Sequence, residues 1–160
     1  MKFFQIIIFT FLSIGVLAQN EIHIYNPKAD AMRDLNNAIA KAKVENKNVF
    51  VQIGGNWCPW CVMMHKFYTS DTLVDSVMKS DYVTVLVNYS RENKNSEVMK
   101  RFGFPQRFGF PVIVILDGEG NVLHIQNTAY LEEGRGYNEK KFVEFLKNWN
   151  VEALDPKNYE

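Results

Sequence analysis

The sequence predicts an α/β protein with a central mixed β-sheet flanked by helices, and three observations predict it. Val49-Phe50-Val51-Gln52-Ile53, Tyr82 to Val87 and Pro111 to Leu116 are near-continuous apolar runs with many β-branched residues, as in strands buried on both faces. The stretches between them carry apolar residues at helical spacing, so helix alternates with strand. Finally, Asp117-Gly118-Glu119-Gly120 is a turn from which Asn121 to Gln126 pairs back, adding an antiparallel hairpin to a β-α-β beginning.

Residues 1–18 read as a signal peptide. Lys2 is a short positive region, Phe3 to Leu17 is almost wholly apolar, and Val16-Leu17-Ala18 places small residues at a cleavage point. The apolar stretch is shorter than the roughly 20 residues of a spanning helix. An uncleaved N-terminal anchor is the rival reading. No cysteine lies near the cleavage point, which argues against a lipid-anchored protein. The expected compartment is therefore the periplasm or the medium.

Residues 19–160 then form one domain, with its core over about 28–150. Lys plus Arg number 18 and Asp plus Glu 18, a balance that argues against nucleic acid or an anionic membrane as partner.

Glu21 to Tyr25 alternates and predicts a short edge strand. Met32, Leu35, Ile39 and Ala42 share one face of a helix over about 28–45, whose other face is charged and solvated. Asn46-Lys47-Asn48 turns into the first buried strand. After the Gly54-Gly55 pair, Val62, Met63, Met64, Phe67 and Tyr68 continue as a helix. Thr69-Ser70-Asp71 offers a cap to a second helix carrying Leu73, Val74, Val77 and Met78. A polar loop from Ser90 opens a short helix ending near Phe102. Phe142, Phe145, Leu146 and Trp149 give a closing helix, and residues 151–160 read as a frayed tail.

The two cysteines of the chain stand in Trp57-Cys58-Pro59-Trp60-Cys61, where strand hands over to helix. Unpaired backbone N–H groups and the helix dipole favour an anion there, so Cys58 is the nucleophile and Cys61 its resolving partner. Pro59 suits the first helical turn. So small a loop is a poor structural staple, which favours a redox-active disulfide. A zinc site is the competing reading. Cys58, Cys61 and His65 supply three ligands, and a fourth has only His23 and His124 to come from.

The strand, the Trp-Cys-x-x-Cys turn and the helix resemble the active site of the thioredoxin superfamily. The element order is similar to the thioredoxin fold over roughly residues 28–150. Within the superfamily, Lys66-Phe67-Tyr68-Thr69 and the helix over Asp71–Val77 resemble exported proteins related to the C-terminal domain of the electron carrier DsbD.

That resemblance implies a cis-proline at Pro111, with the Phe110 backbone pairing with an extended client across from Cys58. Pro105 precedes polar Gln106-Arg107 and is assigned to the loop. Trp57, Pro59, Trp60, Phe110 and Pro111 are the expected client-binding residues. Phe104 and Phe108 are expected near them, with about half of these aromatics packed away and Trp60 the most exposed. The chain departs from the superfamily at Gln52, where a buried Asp is usual, and at His65, often acidic in the DsbD-like group. His65, four residues after Cys61, is within reach of it as a base.

The function expected is an exported thiol–disulfide oxidoreductase acting on protein clients with disulfides or thiols. It needs no cofactor, is recharged by a membrane or soluble thiol donor, and is expected as a monomer. A chaperone-like client-binding module and a metal-binding protein are the alternatives.

Overall fold

The computed structural model describes residues 23–160, so the signal peptide expected at residues 1–18 lies outside the described residues. The sheet has the order β2-β1-β3-β4, where β1 is Asn48–Gly54, β2 Tyr82–Asn88, β3 Val112–Leu116 and β4 Val122–Asn127. β1 runs parallel to β2 and antiparallel to β3, and β3 is antiparallel to β4. The mixed sheet predicted from the runs is the one observed. Every residue of β1 and β3 is buried, as continuous apolar runs require.

Alternation along β1 divides the core. Val49, Val51 and Ile53 face α1 (Ala31–Glu45) and α4 (Ser96–Arg101). Phe50 faces the cluster built with α2 (Pro59–Ser70), α3 (Thr72–Asp81) and α5 (Glu139–Asn148). Gln52 has the parity of Phe50, which turns its side chain towards α2 and the cysteines. Asp71 caps α3, its Oδ1 accepting from Leu73 N at 3.1 Å and Val74 N at 3.0 Å.

Two expectations need correction, and one element was not expected. Of the edge strand expected at Glu21 to Tyr25, residues 23–25 form no strand and the other two lie outside the described residues; Asn56 takes up the Ile24 and Tyr25 backbone N–H groups. Residues 151–160 are not a loose tail: Tyr159 Oη donates to Ala153 O at 2.7 Å and Asn158 Nδ2 to Glu152 O at 2.6 Å. A two-stranded ribbon of β5 (Glu132–Glu133) and β6 (Gly136–Tyr137) was not predicted, because two-residue strands carry no periodicity. Its Tyr137 packs edge-on against Trp60, with ring centres 5.7 Å apart.

Candidate active site

The site stands at the carboxyl end of β1, where the chain turns into α2. Cys58 is the N-cap of α2 and Pro59 its first residue; Cys58 Sγ accepts from Cys61 N at 3.2 Å. Cys58 and Cys61 are joined as a disulfide, their Cα atoms 5.3 Å apart. Cys58 retains 5% exposure and Cys61 none, so the first cysteine is the one a partner can touch.

The two glycines before the motif serve by close approach. A Cβ on Gly54 would land on Cys61 Sγ and 2.8 Å from Tyr25 Oη. A Cβ on Gly55 would strike the Trp57 indole and lie 2.8 Å from Tyr89 O. That indole donates from Nε1 to Tyr89 O at 2.7 Å, which fixes its plane.

On the facing loop the Phe110–Pro111 peptide is cis. Pro111 O accepts from Thr128 Oγ1 at 2.6 Å. Phe110 packs against the cysteine cluster and meets Trp57 edge-on at 5.5 Å and Tyr89 at 4.9 Å. Trp57, 57% exposed, is the open aromatic of the motif, whereas Trp60 is half-buried by Tyr137, the reverse of the expected order. Phe104 is exposed, and Phe108 lies under the Arg107 guanidinium at 4.3 Å. The aromatic rim assembled at the cysteines is therefore Trp57, Phe110 and Tyr89. A cavity of about 1100 Å³ borders it, lined in part by Tyr25, Asn56, Trp57 and Tyr89.

Gln52 is buried, donating from Nε2 to Tyr25 Oη at 2.5 Å and to Cys61 O at 2.9 Å. His65 lies one turn along α2, half-buried, with its ring edge-on to Tyr68 at 5.2 Å. Burial holds its pKa below the ordinary value, so the imidazole is neutral at pH 7. His124 stacks on Trp149 at 4.3 Å, at the far end of the sheet from the cysteines. Among the described residues no three His, Cys, Asp or Glu side chains gather as metal ligands would.

Sequence reasoning missed Tyr25. It is 3% exposed and belongs to the same buried cluster as Cys58 and Cys61. Asn56 anchors it: Oδ1 accepts from Ile24 N and Tyr25 N, both at 2.9 Å, and Nδ2 donates to Tyr25 O at 2.8 Å. The available signal was an Asn immediately before Trp-Cys, a side chain able to pair with a passing backbone on both of its polar atoms.

A family model described as thioredoxin-like matches residues 30–118. Among solved structures, a disulphide isomerase from Xylella fastidiosa Temecula1 superposes with a TM-score of 0.70 at 21% identity, covering 79% of this chain and 96% of that one. A DsbH oxidoreductase gives 0.54 at 21% identity, over 73% and 80%. A thioredoxin from Thermus thermophilus gives 0.50 at 20% identity, over 70% and 80%. No curated protein matches the chain. At these identities the structural likenesses speak for the fold.

Proposed function

The chain belongs to the thioredoxin-like family, and from that premise we propose that it is an exported thiol–disulfide oxidoreductase acting on protein clients through Cys58 and Cys61. The observation that carries this reading is the Cys58–Cys61 disulfide with Cys58 as the N-cap of α2. Backbone N–H groups at a helix start favour the thiolate over the thiol, and the thiolate is the attacking species.

As a reductant, the Cys58 thiolate attacks one sulfur of a client disulfide and the first client thiolate leaves. Cys61 then gives up its proton and attacks Cys58 Sγ, releasing the second client thiolate and closing the internal disulfide. Two electrons pass from the dithiol to the client, whose two thiolates take up protons from the protonated acceptor of the Cys61 proton and from solvent. The reverse sequence oxidises a client dithiol. Neutral His65 is the proposed acceptor of the Cys61 proton.

The Trp57–Phe110–Tyr89 rim and its neighbouring cavity supply apolar surface for an extended client, with Phe110 and Pro111 alongside. Pro59 is exposed beside Cys58, and Trp60 flanks it on the Tyr137 side.

The test uses a peptide containing one disulfide. Cys58→Ser should abolish turnover, and Cys61→Ser should accumulate a mixed disulfide visible by intact mass. Equal adducts on the two variants, or turnover surviving in Cys58→Ser, would overturn the assignment. Aggregation suppression that survives in Cys58→Ser, from a wild-type protein that turns over no disulfide, would instead indicate a client-binding module. N-terminal sequencing of the mature protein tests export, with a start at Gln19 expected.

A further inference from the structure

Burial poses a problem at Cys61. Its sulfur is fully enclosed, and it must become a thiolate to resolve a mixed disulfide, although low-dielectric surroundings disfavour that charge. No Asp, Glu, Lys or Arg is buried among the described residues, and Gln52 cannot exchange a proton. Cys58 and Tyr25 are the titratable groups packed with Cys61; beyond them, His65 follows one turn along α2 with its ring edge-on to Tyr68, and Tyr137 on β6 reaches the Trp60 carbonyl.

The hydrogen bonds orient the phenol of Tyr25. Cys61 O faces the Gln52 amide and can only accept, so the amide must turn its NH₂ that way, and the same nitrogen meets Tyr25 Oη. Tyr25 Oη therefore accepts from Gln52 and keeps its own proton to donate. Gln52 Oε1, buried, has no partner and is not that proton's acceptor. Tyr25 Oη and Cys61 Sγ crowd the same spot over Gly54, where only the absence of a Cβ leaves them room. Asn56 accepts from Ile24 N and Tyr25 N and donates to Tyr25 O, which holds this segment to the active-site loop.

We propose that Tyr25, held by Gln52 and Asn56, is the hydrogen-bond donor that stabilises the Cys61 thiolate in place of a buried carboxylate. The disulfide sulfur carries no charge and makes no hydrogen bond with the phenol; the donation begins when the disulfide opens and Cys61 ionises. Burial raises the Tyr25 pKa, so the phenol remains a donor throughout and never competes as an acid. The Cys61 proton itself leaves by His65 or solvent. The inference gives a mechanism to the proposed exchange reaction, but its test requires no client.

The experiment labels the cysteines with ¹³Cβ and follows Cys61 against pH by NMR in Cys58→Ser, with and without Tyr25→Phe. Phe keeps the ring in its buried place and removes only the hydroxyl. Loss of one hydrogen bond to a charged group should raise the Cys61 midpoint by about one pH unit or more, a roughly tenfold change in thiolate population. The Cys58 midpoint, read in Cys61→Ser, should not move. A second measurement leaves Tyr25 intact: with ¹³Cζ-labelled tyrosine in Cys58→Ser, the Tyr25 resonance should shift with the Cys61 titration. An unchanged Cys61 midpoint in folded Tyr25→Phe, a Tyr25 resonance flat through that titration, or a Cys61 that stays protonated until the fold is lost would each overturn the inference. None of these outcomes bears on whether clients are exchanged, which the peptide assay decides separately.

Discussion

Asn56→Ala should detach the segment that carries Tyr25 while leaving the disulfide in place. The substitution removes the acceptor of Ile24 N and Tyr25 N and the donor to Tyr25 O. Each such bond contributes about 1 kcal/mol net. The site is only half-buried, so water recovers part of the three, leaving a cost of roughly 2 kcal/mol. Downstream the segment is still held, with Asn93 Nδ2 donating to Pro27 O at 3.0 Å, so the opening is local. Amide exchange at Ile24 and Tyr25 should accelerate by about 30-fold, the equivalent of 2 kcal/mol. The melting temperature should fall by no more than about 4–8 °C. Hydrogen exchange by NMR reads both amides directly. If both keep their wild-type protection, Asn56 is not what holds Tyr25 at the cysteines, and the picture of a braced phenol fails.

Gly54→Ala should destabilise by about 1–3 kcal/mol, the usual cost of overpacking, because the new methyl falls on Cys61 Sγ and the rigid β1 backbone cannot yield; denaturant melts of the oxidised protein measure it. Phe142→Ala should cost about 3–5 kcal/mol, since Phe142 is fully buried among Phe50, Tyr68 and Phe145; a loss under 1 kcal/mol would contradict its place in the core. The folded-state pKa of His65 lies below its unfolded value, so its contribution is complete above about pH 6.5 and is lost as pH falls through the folded pKa. His65→Gln should therefore flatten the decline in stability between pH 7.5 and 5, and parallel curves would show that His65 is not held neutral.

The sheet was legible because its central strands are buried on both faces: Val49–Ile53 and Val112–Leu116 admit no polar alternation, and such runs stand out in any chain. The helices were legible by period, with boundaries moved by capping. α1 begins at Ala31, not near 28, because the Asp30 carboxylate accepts from Arg33 N. Its buried stripe also includes Ala31 and Ala38, with Met32 and Ile39 only half-buried, because small residues let the helix lie close on β1 and β2. Glu132–Tyr137 was illegible for the opposite reason: its ribbon is held by tertiary contact of Tyr137 with Trp60 and Phe67, which leaves no trace in local spacing. That same contact half-covers Trp60 and reverses the exposure expected of the two tryptophans.

At the site, the cysteines were legible because strand, turn and helix adjoin in sequence, whereas the phenol packed against them comes from a distant segment. Gln52 in place of an acid directs attention to Cys61, but a linear reading can look for a substitute only along the same helix, where residues four apart are neighbours, and there it meets His65. Tyr25 comes from a segment 31 residues before Asn56 and is brought in by that side chain, a pairing no periodicity encodes. The two residues answer different needs. A proton acceptor must be neutral and able to reach solvent, which suits a half-buried imidazole with a lowered pKa. A stabilising donor must keep its proton in a dry place, which suits a phenol whose pKa burial has raised. A buried carboxylate would combine both tasks in one group at the cost of an enclosed charge. Under the proposed division between His65 and Tyr25 that charge is avoided, and the interior below the disulfide needs no buried ion.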